Sequence, residues 1–210
     1  MSALTLYNFD LDENCYRVRL LISMLGLEAN MVAVDMVPGF EHQKPPVIDL
    51  NPLGDIPVLV DGDLVVSGTV SILAYLARRY GGEAWAEPDD IADYAHSAMW
   101  LEFAASELAA VRDARLVSLF GLSGDLAELT ARGRRALRIM EDHMTLRGFD
   151  EAPWFVGARA SIVDIALFPA FALSRDWNVG HEGYPALRRW ARGVRALSGF
   201  RTMPGIPDYH

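Results

Sequence analysis

Apolar and polar positions in the first third of the chain alternate between strand-like and helix-like spacing. Residues 4–9 alternate loosely and are rich in strand-forming side chains, which predicts a strand. Residues 18–25 carry apolar side chains at helical spacing until Gly26 ends the pattern, which predicts a helix. Residues 31–36 predict a second strand, and the helical connection between the two strands favours a parallel pair.

A hairpin and another helix follow this unit. Residues 58–60 and 64–66 are short apolar runs on either side of the Asp-Gly-Asp at residues 61–63, and an Asp-Gly pair between such runs is a strong hairpin signal. Residues 70–80 then carry apolar side chains along one helical face. The order strand, helix, strand, hairpin, helix predicts a small mixed α/β sheet of the thioredoxin-like type.

The rest of the chain carries helical patterns alone. After a short link at residues 81–88, an acidic pair begins a helix, and no strand pattern recurs before about residue 200. We therefore predict two domains. A thioredoxin-like domain covers residues 1–82, and an all-α domain covers residues 89–210.

Composition limits the environment and the partners of the protein. The 210 residues are 51% hydrophobic, which is ample for a sizeable core. The single cysteine excludes an internal disulfide framework and fits a reducing cytoplasm. No stretch reaches the roughly 18 apolar residues of a membrane span, and the net charge of -9 argues against broad nucleic-acid binding. We expect a cytoplasmic protein with no membrane and no nucleic acid among its partners.

Three stretches of sequence stand out as motifs. Residues 14–20 read Asn-Cys-Tyr-Arg-Val-Arg-Leu at the start of the first predicted helix. Residues 51–62 read Asn-Pro-Leu-Gly-Asp-Ile-Pro-Val-Leu-Val-Asp-Gly, and residues 161–166 read Ser-Ile-Val-Asp-Ile-Ala. Together they resemble the glutathione S-transferase superfamily, and the second match is the most specific. In the third, Ser161 and Asp164 are placed to form a capping box.

The resemblance implies a glutathione transferase fold, glutathione as co-substrate, a small-molecule electrophile as the other substrate, and a homodimer. It also implies that the Ile56-Pro57 peptide bond is cis, so that the backbone of Ile56 faces a bound peptide. In the family this backbone pairs with the cysteinyl part of glutathione like an added strand. The alternative for Pro57 is that it merely begins an edge strand.

The catalytic position of the family holds an unexpected residue in this chain. In many members a hydroxyl that stabilises the glutathione thiolate lies three residues before the position of Cys15, and here that residue is Asp12. An ionised carboxylate would oppose a thiolate, so we expect the Asn14 amide and the N–H groups of the helix start to take this role. Alternatively, Asp12, Glu13 and Asn14 only cap the helix. Cys15 could react with a lowered pKa or could simply pack.

Other parts of the glutathione site are expected in two further segments. The residues that bind the γ-glutamyl end in the family correspond to Gly68 and Thr69. Thr69 keeps a hydroxyl and a helix-start N–H for the carboxylate, whereas Gly68 loses a contact to the amino group. His42 and Lys44 lie in the loop that often contacts the glycine carboxylate in relatives, although Lys44 could instead be a solvated surface side chain.

The electrophile is expected to face the first helix of the second domain. One face of this helix carries Trp100, Phe103, Ala104 and Glu107. Further along, Arg112 and Arg115 could bind an acidic group of a substrate or could pair with nearby carboxylates, and the helix alone leaves both open. The histidines show no metal-ligand spacing with the lone cysteine, so we expect no metal.

These observations favour an enzyme, a glutathione-dependent transferase or isomerase that acts on an apolar electrophile. One alternative is a non-catalytic binding or assembly protein of the same fold, in which Asp12 and Gly68 have disabled the thiol site. Another is a specialised biosynthetic enzyme that does not use glutathione conventionally. Because one fold hosts many activities, the geometry of the site has to decide.

Overall fold

The computed structural model describes residues 4–208. Its strands are β1 (Leu4–Asn8), β2 (Ala29–Ala33), β3 (Val58–Asp61) and β4 (Leu64–Ser67). Its α-helices are α1 (Glu13–Met24), α2 (Val47–Leu50), α3 (Thr69–Tyr80), α4 (Ile91–Ser106), α5 (Ala109–Phe120), α6 (Leu126–Phe149), α7 (Ile162–Ala172) and α8 (Pro185–Arg195). Single 3-10 turns lie at Glu41–Gln43, Gly82–Trp85 and Ser174–Trp177.

The four strands form one mixed sheet in the order β2-β1-β3-β4. The β1 and β2 strands are parallel, and the β3-β4 hairpin joins β1 antiparallel, so the predicted pairings are confirmed. The predicted β2 at residues 31–36 was placed too late in the chain. Because β1 ends at Asn8, the paired register runs from Leu4 opposite Ala29 to Asn8 opposite Ala33. Beyond it the Val34 N–H still donates to the Asn8 carbonyl at 2.8 Å, but β1 offers no further residues for the strand to pair with.

Aspartate side chains begin three of the helices. Asp12 accepts a hydrogen bond from the Cys15 N–H at 2.9 Å and caps α1. Asp90 accepts from the N–H groups of Ala92 and Asp93 and caps α4, at the acidic helix start predicted from the sequence. Asp125 caps α6 in the same way. A carboxylate at this position satisfies N–H groups that the helix itself leaves open and complements the positive end of the helix dipole.

Helix α7 is buried in the middle of the helical half and begins with the predicted capping box. The Ser161 hydroxyl accepts from the Val163 N–H at 3.2 Å, and the Asp164 carboxylate accepts from the Ser161 N–H at 3.0 Å. Asp164 also accepts from the Phe155 N–H at 3.2 Å and from the Trp190 indole at 2.8 Å. Burial raises the pKa of Asp164 to about 6. One carboxylate therefore joins α7 to α8 and to the preceding loop.

The larger of two hydrophobic clusters among the described residues extends from the sheet to the helices. Leu6 and Ile72 from the sheet half belong to the same buried cluster as Phe168 and Trp190 from the helical half. Helix α7 packs against both α1 and α3 across this boundary. The division into residues 1–82 and 89–210 stays a prediction, because a continuous core fixes no boundary.

We expect Asp164→Ala to lower the free energy of unfolding by about 3 kcal/mol or more, because the buried donors of Phe155 and Trp190 lose their acceptor. The matched variant Asp90→Ala removes an exposed cap and should cost about 1 kcal/mol. Urea unfolding at a fixed protein concentration measures both losses. Equal losses would contradict the view that Asp164 joins α7 to α8.

Candidate functional site

A cavity of about 360 Å³ lies between the sheet half and the helical half. Its walls come from the start of α1, the loop before β3, the start of α3 and the facing ends of α4 and α5. Seven of the residues predicted for the site line it, namely Asn14, Ile56, Pro57, Gly68, Thr69, Ala104 and Arg112. The structure thus brings the predicted thiol, peptide and γ-glutamyl positions to one place.

Two predicted residues lie in the loop beside this cavity. His42 is partly buried, and burial lowers its pKa while the nearby Asp55 carboxylate raises it. His42 is not among the residues that line the cavity. Lys44 is exposed and donates from Nζ to the Gly39 carbonyl at 2.7 Å. The loop therefore holds Lys44 against its own backbone.

Cys15 is fully buried and is not among the residues that line the cavity. It packs with Val34 and Ile56, and the Phe9 N–H donates to its Sγ at 3.5 Å. Burial raises the pKa of the thiol well above its usual range, and the nearby Asp12 carboxylate raises it further. A thiol that is buried and protonated is a poor nucleophile. The geometry favours packing over reactivity for Cys15.

Most of the predicted substrate face of α4 points away from the cavity. The Trp100 ring is buried against Phe103, His143 and Phe155, with ring centroids 4.7–5.1 Å away. Glu107 forms an ion pair with Arg135 at 3.3 Å on the surface. Of this helical stripe only Ala104 reaches the lining, because the bulky aromatic side chains are used in the core.

The two arginines of α5 pair with carboxylates of the protein itself. Arg112 donates from Nε to Asp12 Oδ2 at 2.8 Å and from Nη2 to Asp55 Oδ1 at 3.2 Å. Burial lowers the pKa of Arg112, but both carboxylates raise it and hold it above its usual value. Arg115 donates from Nε to Asp176 at 2.8 Å and from Nη1 to the Leu11 carbonyl. Of the two alternatives that the sequence left open, the structure contains the internal pairing.

The carboxylate of Asp12 points towards α5 instead of towards the cavity. It has no exposed surface, and its two oxygens accept from the Cys15 N–H and from Arg112. Its negative charge is therefore compensated inside the protein, whereas the sequence interpretation had it opposing a bound thiolate directly.

The backbone at Ile56 has the predicted cis bond to Pro57, but the Ile56 N–H already donates a hydrogen bond within the protein. The Ile56-Pro57 peptide bond is cis. The Ile56 N–H donates to the side chain of the preceding Asp55, at 2.8 Å to Oδ1, which is the same oxygen that Arg112 contacts. A peptide ligand that pairs with this N–H has to displace the Asp55 carboxylate first.

The start of α3 forms the opposite wall. Thr69, Val70 and Ser71 line the cavity with the first turn of a twelve-residue helix, whose N-terminal N–H groups favour an anion. Gly68 precedes this turn at a φ of 85°, which disfavours residues with a side chain. A Cβ there would still have room, since the nearest atom is Ser71 Oγ at 3.6 Å.

Two charged residues that matter for the site, Arg17 and Asp55, were not singled out as candidates from the sequence. Arg17 lines the cavity and is buried, with Glu13 as its partner at 3.0 Å. Asp55 covers the Ile56 N–H. The spacing of Glu13 and Arg17, four residues apart on one helix, was the available sequence signal for their pairing. No comparable signal exists for Asp55, because its partner Arg112 is 57 residues away.

Within residues 4–208 no group of three or more His, Cys, Asp and Glu side chains could hold a metal ion. No helix in that range combines the length and apolar character that crossing a membrane requires.

Comparison with known proteins covers both halves of the chain. The model described as Glutathione S-transferase, N-terminal domain matches residues 2–78, and the model described as Glutathione S-transferase, C-terminal domain matches residues 123–193. Glutathione S-transferase 3 of Zea mays is 29% identical, and the match covers 99% of this chain and 96% of that protein. Maleylacetoacetate isomerase of Pseudomonas aeruginosa is 24% identical over 93% of each protein.

A solved structure agrees with these matches. The glutathione transferase homolog from Lodderomyces elongisporus, crystallised with two GSH per subunit, aligns with a TM-score of 0.83 at 25% identity, over 95% of this chain and 96% of that chain. Because both halves match in the order that this two-part fold requires, with the cavity between them, this protein belongs to the glutathione S-transferase superfamily.

Proposed function

We propose that this glutathione transferase-like enzyme binds glutathione in the cavity between its two halves and conjugates or isomerises an apolar electrophile. The observation that carries the proposal is the meeting, in one cavity, of the Ile56 backbone, the first turn of α3 and the Asn14 amide. These groups match the three parts of a thiol tripeptide: a peptide unit, a terminal carboxylate and a sulfur.

Glutathione would lie along the loop before β3. The backbone of Ile56 would pair with the cysteinyl peptide unit once Asp55 moves away. The N–H groups at Thr69 would bind the γ-glutamyl carboxylate. Gly68 has no side chain that could accept a hydrogen bond from the γ-glutamyl amino group. His42 and Lys44 are the candidates for the glycine carboxylate, because both lie on the adjacent loop.

Asn14 is the proposed donor to the glutathione thiolate. Its Oδ1 accepts a hydrogen bond from Arg17, so its NH₂ group remains as the donor on the cavity side. Cys15 and Asp12 would support this site from below, as packing and as the cap of α1. This arrangement gives the helix start one amide donor and no ionised oxygen directed at the sulfur.

The electrophile would bind against a wall of small apolar side chains. Ala104, Ala105, Leu108 and Ala109 line this side of the cavity. Arg112 also lines it, but the carboxylates of Asp12 and Asp55 already compensate its charge. An apolar electrophile therefore fits better than an anionic one.

Two observations favour a second candidate function, a non-catalytic binding or assembly protein of this fold. Asp55 covers the Ile56 N–H, and Gly68 offers no acceptor to the amino group. Each feature would weaken glutathione binding by the net value of one hydrogen bond. That value is about 0.5–1.5 kcal/mol for two neutral groups and larger where one of the groups is charged. A specialised biosynthetic enzyme that does not use glutathione conventionally would share these features.

We also propose a cytoplasmic homodimer. Helix α4 exposes Ile91, Tyr94 and Met99, and Ile91 keeps 78% of its surface accessible. Clustered large apolar side chains on one helix are typical of a surface that another chain covers. The small electrophile and a second copy of the chain are thus the proposed partners.

The role of Asn14 can be tested directly. We expect the protein to bind glutathione with a sub-millimolar dissociation constant by calorimetry. Asn14→Ala should bind it comparably but turn over an aromatic chloride about a hundredfold more slowly, because a donor to the developing charge is lost. Asn30→Ala, on the exposed face of β2, is the matched control and should behave like the parent protein. Calorimetric silence at millimolar glutathione would contradict the enzyme and favour the binding protein.

The covering of the Ile56 N–H gives a second prediction. Asp55→Ala should bind glutathione about five- to tenfold more tightly, because the ligand no longer has to break a hydrogen bond worth about 1 kcal/mol. Asp55→Asn keeps an oxygen for that N–H and serves as the control with little change. Calorimetry measures the dissociation constant of glutathione for the parent protein and the two variants. Weaker binding by Asp55→Ala would contradict the prediction and show that Asp55 assists ligand binding.

The dimer is testable by light scattering at micromolar concentration. We expect twice the chain mass of 23.2 kDa. The double variant Ile91→Glu with Met99→Glu should shift the mass towards one chain, because it places charges on the exposed apolar face of α4. Phe149→Glu is the control: Phe149 is 80% exposed but lies on α6, so its variant should remain dimeric. A single-chain mass for the parent protein would refute the dimer.

A further inference from the structure

Arg17 is the buried cation closest in sequence to the proposed thiol donor, and its guanidinium is held on three sides. Only 4% of the residue is exposed. Nε donates to the Ala166 carbonyl of α7 at 2.7 Å, Nη2 donates to Glu13 Oε1 at 3.0 Å, and Nη1 donates to Asn14 Oδ1. Bonds in three directions fix the guanidinium plane, so its position relative to the cavity is set by both halves of the protein.

This contact determines which way the Asn14 amide faces. A guanidinium has only donors, so the atom of Asn14 that contacts it must be the oxygen. The amide NH₂ is then the remaining donor of a side chain that lines the cavity. Without Arg17 the amide could rotate and present its oxygen to a thiolate, which is repulsive.

Glu13 controls how much of the positive charge of Arg17 the cavity experiences. Its Oε1 contacts Arg17, and its Oε2 is buried without a hydrogen-bond partner among residues 4–208. The other charged groups that act on Glu13 are Asp12, Arg112 and Arg115. Burial raises the pKa of Glu13, and Arg17 is the strongest influence that lowers it.

We propose that Arg17 is a positioning residue that sets the acidity of the bound thiol, by orienting the Asn14 amide and by a positive charge that Glu13 attenuates. This inference rests on the proposed function, since it deepens the thiol site described there. A purely structural role would be to clamp α1 to α7 through the Ala166 carbonyl. The two roles differ in their effect on the ligand, because only the first changes the proton affinity of the sulfur.

The test is the pKa of the thiol of bound glutathione, read from thiolate ultraviolet absorbance against pH at saturating glutathione. Arg17→Met should raise this pKa by about one pH unit, because a nearby positive charge and an oriented donor are both lost. Glu13→Gln should shift it in the opposite direction, because the charge of Arg17 is no longer compensated. Arg132→Met, on the exposed surface of α6, is the matched control and should leave it unchanged.

If Arg17 only clamps α1 to α7, the Arg17 and Glu13 variants should be less stable than the parent protein but should show the same pKa for the bound thiol. That result would overturn the inference. Should Arg17→Met fail to fold because Glu13 is left buried and unpaired, the double variant Glu13→Gln with Arg17→Met removes both charges and should still show the raised pKa. An unchanged pKa in that double variant would equally overturn it.

Failure of the proposed function is distinguishable from failure of this inference. If Asn14→Ala raises the thiol pKa while neither Arg17→Met nor Glu13→Gln changes it, only the role of Arg17 is refuted. If the parent protein does not bind glutathione, or Asn14→Ala leaves the thiol pKa unchanged, the thiol site itself is refuted and the role of Arg17 falls with it.

Discussion

The ion pair between the partly buried Arg112 and the fully buried Asp12 joins the helical half of the protein to the start of α1, and the shape of the cavity depends on it. Asp12 has no exposed surface, so its charge needs compensation within the fold. The helix cap supplies one hydrogen bond and Arg112 supplies the opposite charge. Removing Arg112 would leave the fully buried charge of Asp12 without a counter-charge, which is far more costly than losing an exposed pair. The pair therefore fixes α5 over the start of α1.

The same guanidinium reaches the opposite side of the cavity. Through Asp55 it contacts the loop that presents the Ile56 backbone, so one side chain of α5 connects the proposed thiol and peptide positions. A ligand at Ile56 exchanges an existing hydrogen bond for a new one instead of satisfying an open donor. Its net gain is the difference between two similar interactions, and the affinity depends on how easily Asp55 moves.

Charge inside this site is arranged in compensated pairs. Asp12 faces Arg112, and Glu13 faces Arg17, so neither carboxylate of the α1 start acts alone on the cavity. This arrangement removes the direct charge repulsion that the sequence predicted between Asp12 and a bound thiolate. Under the proposed function, the enzyme and the non-catalytic alternative differ in whether the Asn14 amide can donate a hydrogen bond to a bound thiolate.

Local spacing along the sequence determined much of the fold. The strand and helix order, the parallel pair, the hairpin, the caps and the Ser161-Asp164 capping box all depend on neighbours within a few residues, and the structure contains them. The resemblance of residues 51–62 to the family motif identified the cis bond at Ile56. The position of β2 is the exception among these local features, because its end depended on the length of the partner strand β1.

Only the tertiary structure decided which candidate side chains reach the cavity. Trp100 and Cys15 have the residue types of a site, yet both are used in packing, whereas Arg17 became part of the lining. The choice between substrate binding and internal pairing for Arg112 depended on Asp12, which lies 100 residues earlier in the chain. A sequence pattern records which face of a helix is apolar but not which element packs against it, and the partner of a charge is set by that packing.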